Sequence, residues 1–141
     1  MTRGVDAYRR TEAQSASPMQ LVVMLYDGAL RFLTEAKTAQ ATGDLPRRAH
    51  ALRRVAAIIA ECHSALDLEQ GGSVAAELDR LYSYVSERLL DVTVKKDLTA
   101  IDEIHRLLTP VRNAFAEAAA QSVIAAAVPP TTPANVGVAS R

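Results

Sequence analysis

Ile101, Ile104, Leu108, Val111, Phe115 and Ala118 follow one another at alternating spacings of three and four. That rhythm is an a/d seam held for more than two heptads, and it makes one side of a helix apolar. Three more segments carry the same period. Leu21, Leu25, Ala29, Phe32 and Ala36 mark a stripe on a helix expected over about 18–41. Ala49, Leu52, Ala56, Ile59, His63 and Leu66 mark one beginning near Pro46. Leu78, Leu81, Tyr82, Val85, Leu89 and Val92 mark one over about 74–93. The breaks between them are short and have their own chemistry. Ser17-Pro18 with Gln20 reads as a capping box with proline at the first helical position. Gly43 suits a left-handed helix end, Gly71-Gly72 opens the third segment, and Lys95-Lys96-Asp97 separates the third from the fourth.

Helices of about 20 residues span roughly 30–35 Å, and connections this short force sequential neighbours to run antiparallel. The expected fold is therefore all-α: an antiparallel four-helix up-down bundle over residues 17–127. Residues 1–16 read as a flexible N-terminal arm, with only Val5 and Tyr8 offering apolar bulk. Residues 128–141 hold prolines and small polar residues and read as a disordered tail. Pro110 interrupts the fourth seam and is expected to kink that helix.

Composition narrows the function. Lys plus Arg is 16 and Asp plus Glu is 16, so nucleic acid is a poor partner. The arginine and lysine pairs are scattered, which reads as solvated surface. One cysteine, Cys62, allows no internal disulfide and fits a reducing compartment. No stretch has the length of a membrane span and the N-terminus lacks a signal-peptide core, so a cytoplasmic location is expected.

Chemistry is sparse. Asp102-x-x-His105 has the spacing of a bundle metal motif but lacks its glutamate and a second copy. His63 lies on the core stripe, a poor place for a phosphoryl acceptor, and reads as a core or boundary histidine. Cys62 beside it points about 100° away and reads as a small buried side chain. No phosphate loop or nucleophile elbow is present. Neither an enzyme, a metal nor a cofactor is expected.

The first helix carries an excess. At 100° per residue from Leu21, the residues Val23, Tyr26 and Leu30 fall near 140–200°, outside the stripe. Gly28 sits mid-helix, where alanine would be better by about 1 kcal/mol. Two readings fit. Helix one is the most buried helix, or Val23, Tyr26 and Leu30 form a partner surface with Gly28 as a close-approach point. Tyr84 lies off the core stripe of helix three and has the character of an interface tyrosine. On the second reading, Tyr26→Asp weakens partner binding and leaves the helices intact. A self-associating adaptor, including a weak homodimer, is the alternative.

The same residues carry a resemblance. "SASPMQLVVMLYDGALRFL" at 15–33 resembles the signature of the flagellar secretion chaperone family, the flagellin-specific export chaperones. "AYRR" at 7–10, "LDLEQGGSVAAELDRLYSYVSERL" at 66–89 and "IDEIHRLLTPVRNAF" at 101–115 continue it in register. SASP stands where the family often has TASP, and Phe115 where many members have tryptophan. The resemblance implies a helical bundle that binds the C-terminal segment of unpolymerised flagellin one-to-one. It implies that this prevents premature polymerisation, keeps the subunit ready for type III export, and precedes presentation to the cytoplasmic domain of the export gate. Carried over by position, it puts Tyr26, Asp27 and Gly28 at the flagellin surface with Tyr82 and Tyr84 nearby. For Tyr82, on the core stripe, a structural role fits equally. Tyr8 falls in an arm that would cover the site when flagellin is absent.

Overall fold

Ser17 starts the first helix through its side chain. Its Oγ accepts the backbone N–H of Gln20, and Gln20 Oε1 accepts the N–H of Ser17 at 2.8 Å. This reciprocal box satisfies two of the donors that a helix start leaves without partners. In the structure, a computed structural model that describes residues 17–127 with side chains through Gln121, this helix is α1, Pro18–Thr42. Gly43 ends it at φ 76°, where its N–H reaches the carbonyls of Ala39 and Gln40. Asp44 then caps α2, Leu45–Ser64, by accepting the N–H of Arg47.

α3 spans Gly72–Leu90. Gly71 before it is obligatory: a Cβ there would lie 2.5 Å from that of Ala75 and 2.7 Å from the Asp67 carbonyl. α3 runs on into a π-helical turn, Asp91–Lys95, a feature the periodicity does not anticipate, and Lys96 stops it at φ 58°. α4 spans Thr99–Ala127. Pro110 lies exposed inside it, and helix continues on both sides. The arm expected at 1–16 and the tail expected at 128–141 lie outside the described residues.

Side-chain pairs establish the topology. Asp27 meets Arg112 and Lys37 meets Asp102, so α1 and α4 are antiparallel. Glu35 meets Arg47, His63 meets Asp79, and Arg88 meets Glu103, so α1–α2, α2–α3 and α3–α4 are antiparallel as well. α1 lies between α2 and α4, and α3 rests mainly on α2. The expected four-helix bundle is present.

The core stripes differ from expectation in two helices. α1 buries Tyr26, Ala29, Leu33, Ala36 and Ala39, while Leu21 is 38% exposed. α2 buries Ala51, Leu52, Val55, Ile58, Ile59 and Cys62, and Ala56 faces solvent. The fourth seam holds: Ile101, Ile104 and Leu108 are buried, with Val111 and Phe115 packed against them.

Candidate functional site

Tyr26 of α1 and Tyr82 of α3 meet in the core. They are 1% and 2% exposed and their hydroxyls share a hydrogen bond of 2.7 Å. The Phe115 ring from α4 lies 5.6 Å from Tyr26, and the His63 ring from α2 lies 5.7 Å from Tyr82. All four helices therefore contribute to one aromatic cluster. Burial, and then the bond to Tyr82, pushes the Tyr26 hydroxyl far above the usual tyrosine range. Both phenols stay neutral, and the hydroxyl pair satisfies two polar groups that would each cost about 1–3 kcal/mol if left unpaired.

Of the two readings of α1, the burial of Tyr26 supports the one in which α1 is the most buried helix, not the one that makes Tyr26 a surface contact. Tyr26 is not on an outward face. A helix flanked on both sides buries more than one stripe, so Tyr26 and Leu30 of α1 meet its own neighbours. Leu30 packs against the core and Val23 is half-buried. Gly28 is buried and faces α2, where an added Cβ would make an ordinary 3.4 Å contact with Ile58 Cδ1. Asp27 accepts Arg112 Nε at Oδ1 (2.7 Å) and Arg112 Nη2 at Oδ2 (3.3 Å), a two-point tether from α4. Arg112 was missed in the sequence because its partner lies 85 positions away. Tyr84 is exposed, and its hydroxyl donates to Glu103 at 2.6 Å.

Next to the aromatic cluster the bundle is open. An apolar groove of about 340 Å³ is lined by Met19, Val22 and Leu25 of α1, Leu66 just beyond α2, and Leu78 of α3, with Tyr82 and Phe115 also reaching it. Pro18, the first residue of α1, lines it as well. Leu21 and Met24 on the same turns of α1 are each 38% exposed. Cys62 also lines the groove, and burial pushes its thiol up to about 11. It is an inert apolar contact at neutral pH. A second groove, of about 540 Å³, lies between the first half of α2 and the last part of α3, with Leu52, Leu89 and Leu90 in its lining.

The residues weighed for other chemistry are engaged elsewhere. His63 Nε2 lies 2.7 Å from Asp79 Oδ1, so its neighbour is an acid and not the cation that would hold a phosphoryl group. Asp102 pairs with Lys37 at 2.9 Å. Among the described residues, no three His, Cys, Asp or Glu side chains converge as a metal site requires. No described helix is long and apolar enough to cross a membrane.

A family model described as "Flagellar protein FliS" matches residues 1–122. The chain belongs to this family. The flagellar secretion chaperone FliS of Salmonella typhimurium is 36% identical over 117 residues, covering 79% of this chain and 87% of the relative. FliS of Campylobacter jejuni is 33% identical over 112 residues, covering 79% and 88%. FliSB of Pseudomonas aeruginosa, also a flagellar secretion chaperone, is 32% identical over 104 residues, covering 74% and 82%. A crystal structure of a flagellar chaperone from bacteria superposes with a TM-score of 0.67 over 83% of this chain and 95% of that one, at 16% identity. That likeness bears on the fold. The family match takes in every residue of the aromatic cluster and of both grooves, and the resemblance read from the sequence is borne out. In this flagellar chaperone family member, the apolar grooves are the surfaces with the character of a protein-binding site.

Proposed function

We propose that this chain is a cytoplasmic export chaperone that binds the C-terminal segment of unpolymerised flagellin one-to-one, blocks premature polymerisation and delivers the subunit to the flagellar export gate. The observation that carries this reading is the apolar groove beside the Tyr26–Tyr82 pair, bordered by all four helices. A segment that is disordered when free loses several kcal/mol to ordering when it binds, so it needs extended apolar contact in return. Met19, Val22, Leu25, Leu66 and Leu78 provide that contact, and side chains of this size contribute about 1.5–3 kcal/mol each when fully buried.

Among the residues first assigned to the flagellin surface, Tyr82 reaches this groove, with Tyr26 behind it as support. Asp27 and Gly28 act through helix packing, and Val23, Leu30 and Tyr84 lie outside the groove lining. Tyr8, outside the described residues, belongs to an arm that joins at Pro18. We assign to that arm the role of covering the groove when flagellin is absent, so removal of residues 1–15 leaves binding equal or tighter.

The test is seeded polymerisation of flagellin followed by light scattering. One equivalent of this chain should suppress filament growth, and Met19→Glu, which puts a charge into the groove, should suppress it far less. Growth at the same rate with and without the wild-type chain would refute the reading.

A further inference from the structure

Phe32 on α1 and His50 on α2 meet at a face of the bundle outside both grooves. The His50 ring stands edge-on to Phe32 at 6.5 Å, and the guanidinium groups of Arg31 and Arg54 lie 5.2 and 5.6 Å from the centre of the same Phe32 ring. Phe32 is half-buried and packs on the core, so it is a fixed platform for both cations. Arg47 stands on the same side of α2, three positions before His50 and seven before Arg54, and all three are exposed. None of these residues lines either groove.

The charge of this face is not answered from within the bundle. Arg112, Arg88 and Lys37 each bridge to a carboxylate of another helix, whereas Arg31 and Arg54 make no ion pair among the described residues. The two acids of α1 are engaged: Asp27 by Arg112 at 2.7 Å, and Glu35 by Arg47 at 3.7 Å. Asp44 is turned to cap the start of α2. α2 itself holds Arg47, Arg48, Arg53 and Arg54 and a single acid, Glu61, which lines the groove at the tyrosine end. In a chain of zero net charge, that is a segregated distribution. A guanidinium stacked on an aromatic ring keeps its N–H edge free for the oxygens of a phosphate or carboxylate.

We propose that this α1–α2 face docks on an anionic lipid surface, with Arg31, Arg54 and Arg47 against headgroup phosphates. Two observations favour lipid over a protein partner. A protein interface has an apolar centre, and the exposed large apolar side chains stand elsewhere: Leu21 and Met24 on the turns of α1 beside the tyrosine-end groove, Leu90 in the lining of the second, and only Leu45 on α2. The cations also stand on the outer ridges of two antiparallel helices, a shape that a broad layer of headgroups meets at several points at once. The contact is peripheral, since no described helix is long and apolar enough to cross a membrane. Because the face is separate from both groove linings, the chain can hold a ligand there and rest on the lipid at the same time. The inference does not depend on the identity of that ligand.

Co-sedimentation of the full chain at low salt tests it, with vesicles of phosphatidylcholine alone and of an equal mixture of phosphatidylcholine and phosphatidylglycerol. The variants are the double changes Arg31→Glu with Arg54→Glu, and Arg31→Lys with Arg54→Lys. Arg80→Glu with Arg106→Glu makes the same change of charge at two exposed arginines on α3 and α4 and serves as the control. The wild type should bind the mixed vesicles and not the neutral ones, and added salt should release it. Arg31→Glu with Arg54→Glu should weaken binding about tenfold or more, while the lysine pair and the control stay within about twofold of the wild type. Arg54→Glu alone, which leaves α1 untouched, should weaken it about three- to fivefold. No binding of the wild type to the mixed vesicles would overturn the inference. So would an equal loss in the two glutamate pairs, which would reduce the effect to net charge. Binding to poly-glutamate in solution but not to vesicles would assign the face to an acidic protein segment and overturn the lipid assignment.

Discussion

At the end of the bundle where α1 begins, Tyr26, Tyr82, His63 and Phe115 gather around one hydroxyl pair and leave an apolar groove beside it. At the opposite end, Arg88 gathers three acids: Nη1 meets Asp91 at 2.7 Å and Asp97 at 3.2 Å, and Nε meets Glu103 at 2.6 Å. The two ends are held by different forces, and the difference is instructive. Apolar contact is non-directional and accepts new partners, which suits an end that receives a ligand. An ion cluster requires particular geometry, and here it ties the π-helical turn after α3 to the first turns of α4. One end is adaptable and the other is an anchor.

The strongest way to break this comparison is Tyr26→Asp. A buried carboxylate would face Tyr82 with no cation near, and the ring volume would be lost. The expected cost is about 4 kcal/mol or more, seen in thermal circular dichroism as a melting point lowered by roughly 10 °C or more. An unchanged melting point would return Tyr26 to the surface role first read from the sequence.

The next effect isolates the hydroxyl pair. Tyr26→Phe and Tyr82→Phe should each cost about 1–2 kcal/mol, because each leaves a buried hydroxyl alone. The double variant should cost clearly less than their sum, because neither hydroxyl remains. Strict additivity in urea denaturation would show that the two hydroxyls do not act as a pair.

Arg88→Met should give a smaller loss with a distinctive pH dependence. The Thr99 hydroxyl and then Arg88 hold the Asp97 carboxyl below the usual range; the Tyr84 hydroxyl and then Arg88 do the same for Glu103. A carboxyl with a depressed folded-state pKa stabilises fully above its unfolded value, near pH 4–4.5, and loses that contribution as pH falls through the folded value. The gap in melting point between wild type and Arg88→Met should therefore be full at pH 7 and shrink toward pH 3. Tyr84→Phe should shift the melting point least, because Tyr84 is exposed and loses only its bond to Glu103. A gap that stays constant from pH 7 to pH 3 would contradict the anchor role.

What was legible in the sequence was local. Ser17, Pro18 and Gln20 act within four positions of one another, and Gly43 needs only its own backbone angle, so both helix boundaries could be read directly. The Ile101–Leu108 seam was legible because its large apolar residues stand among polar ones. α1 and α2 were harder. Alanine fits either face of a helix, so Ala49 and Ala56 drew the α2 stripe one position off, and Leu21 did the same for α1. The candidate site depended on long-range pairs. The burial of Tyr26 rests on Tyr82, 56 positions away, and Asp27 is occupied by Arg112, 85 positions away. A tyrosine outside a stripe therefore looked like surface.

The central claim is that the grooved bundle holds the C-terminal segment of flagellin, which folds as it binds. Titration calorimetry at several temperatures tests it most directly, with flagellin from the same cell, full-length and lacking that segment. The account predicts one-to-one binding with a strongly negative heat-capacity change, lost on truncation. Equal binding of both forms, or no binding of either, would contradict it.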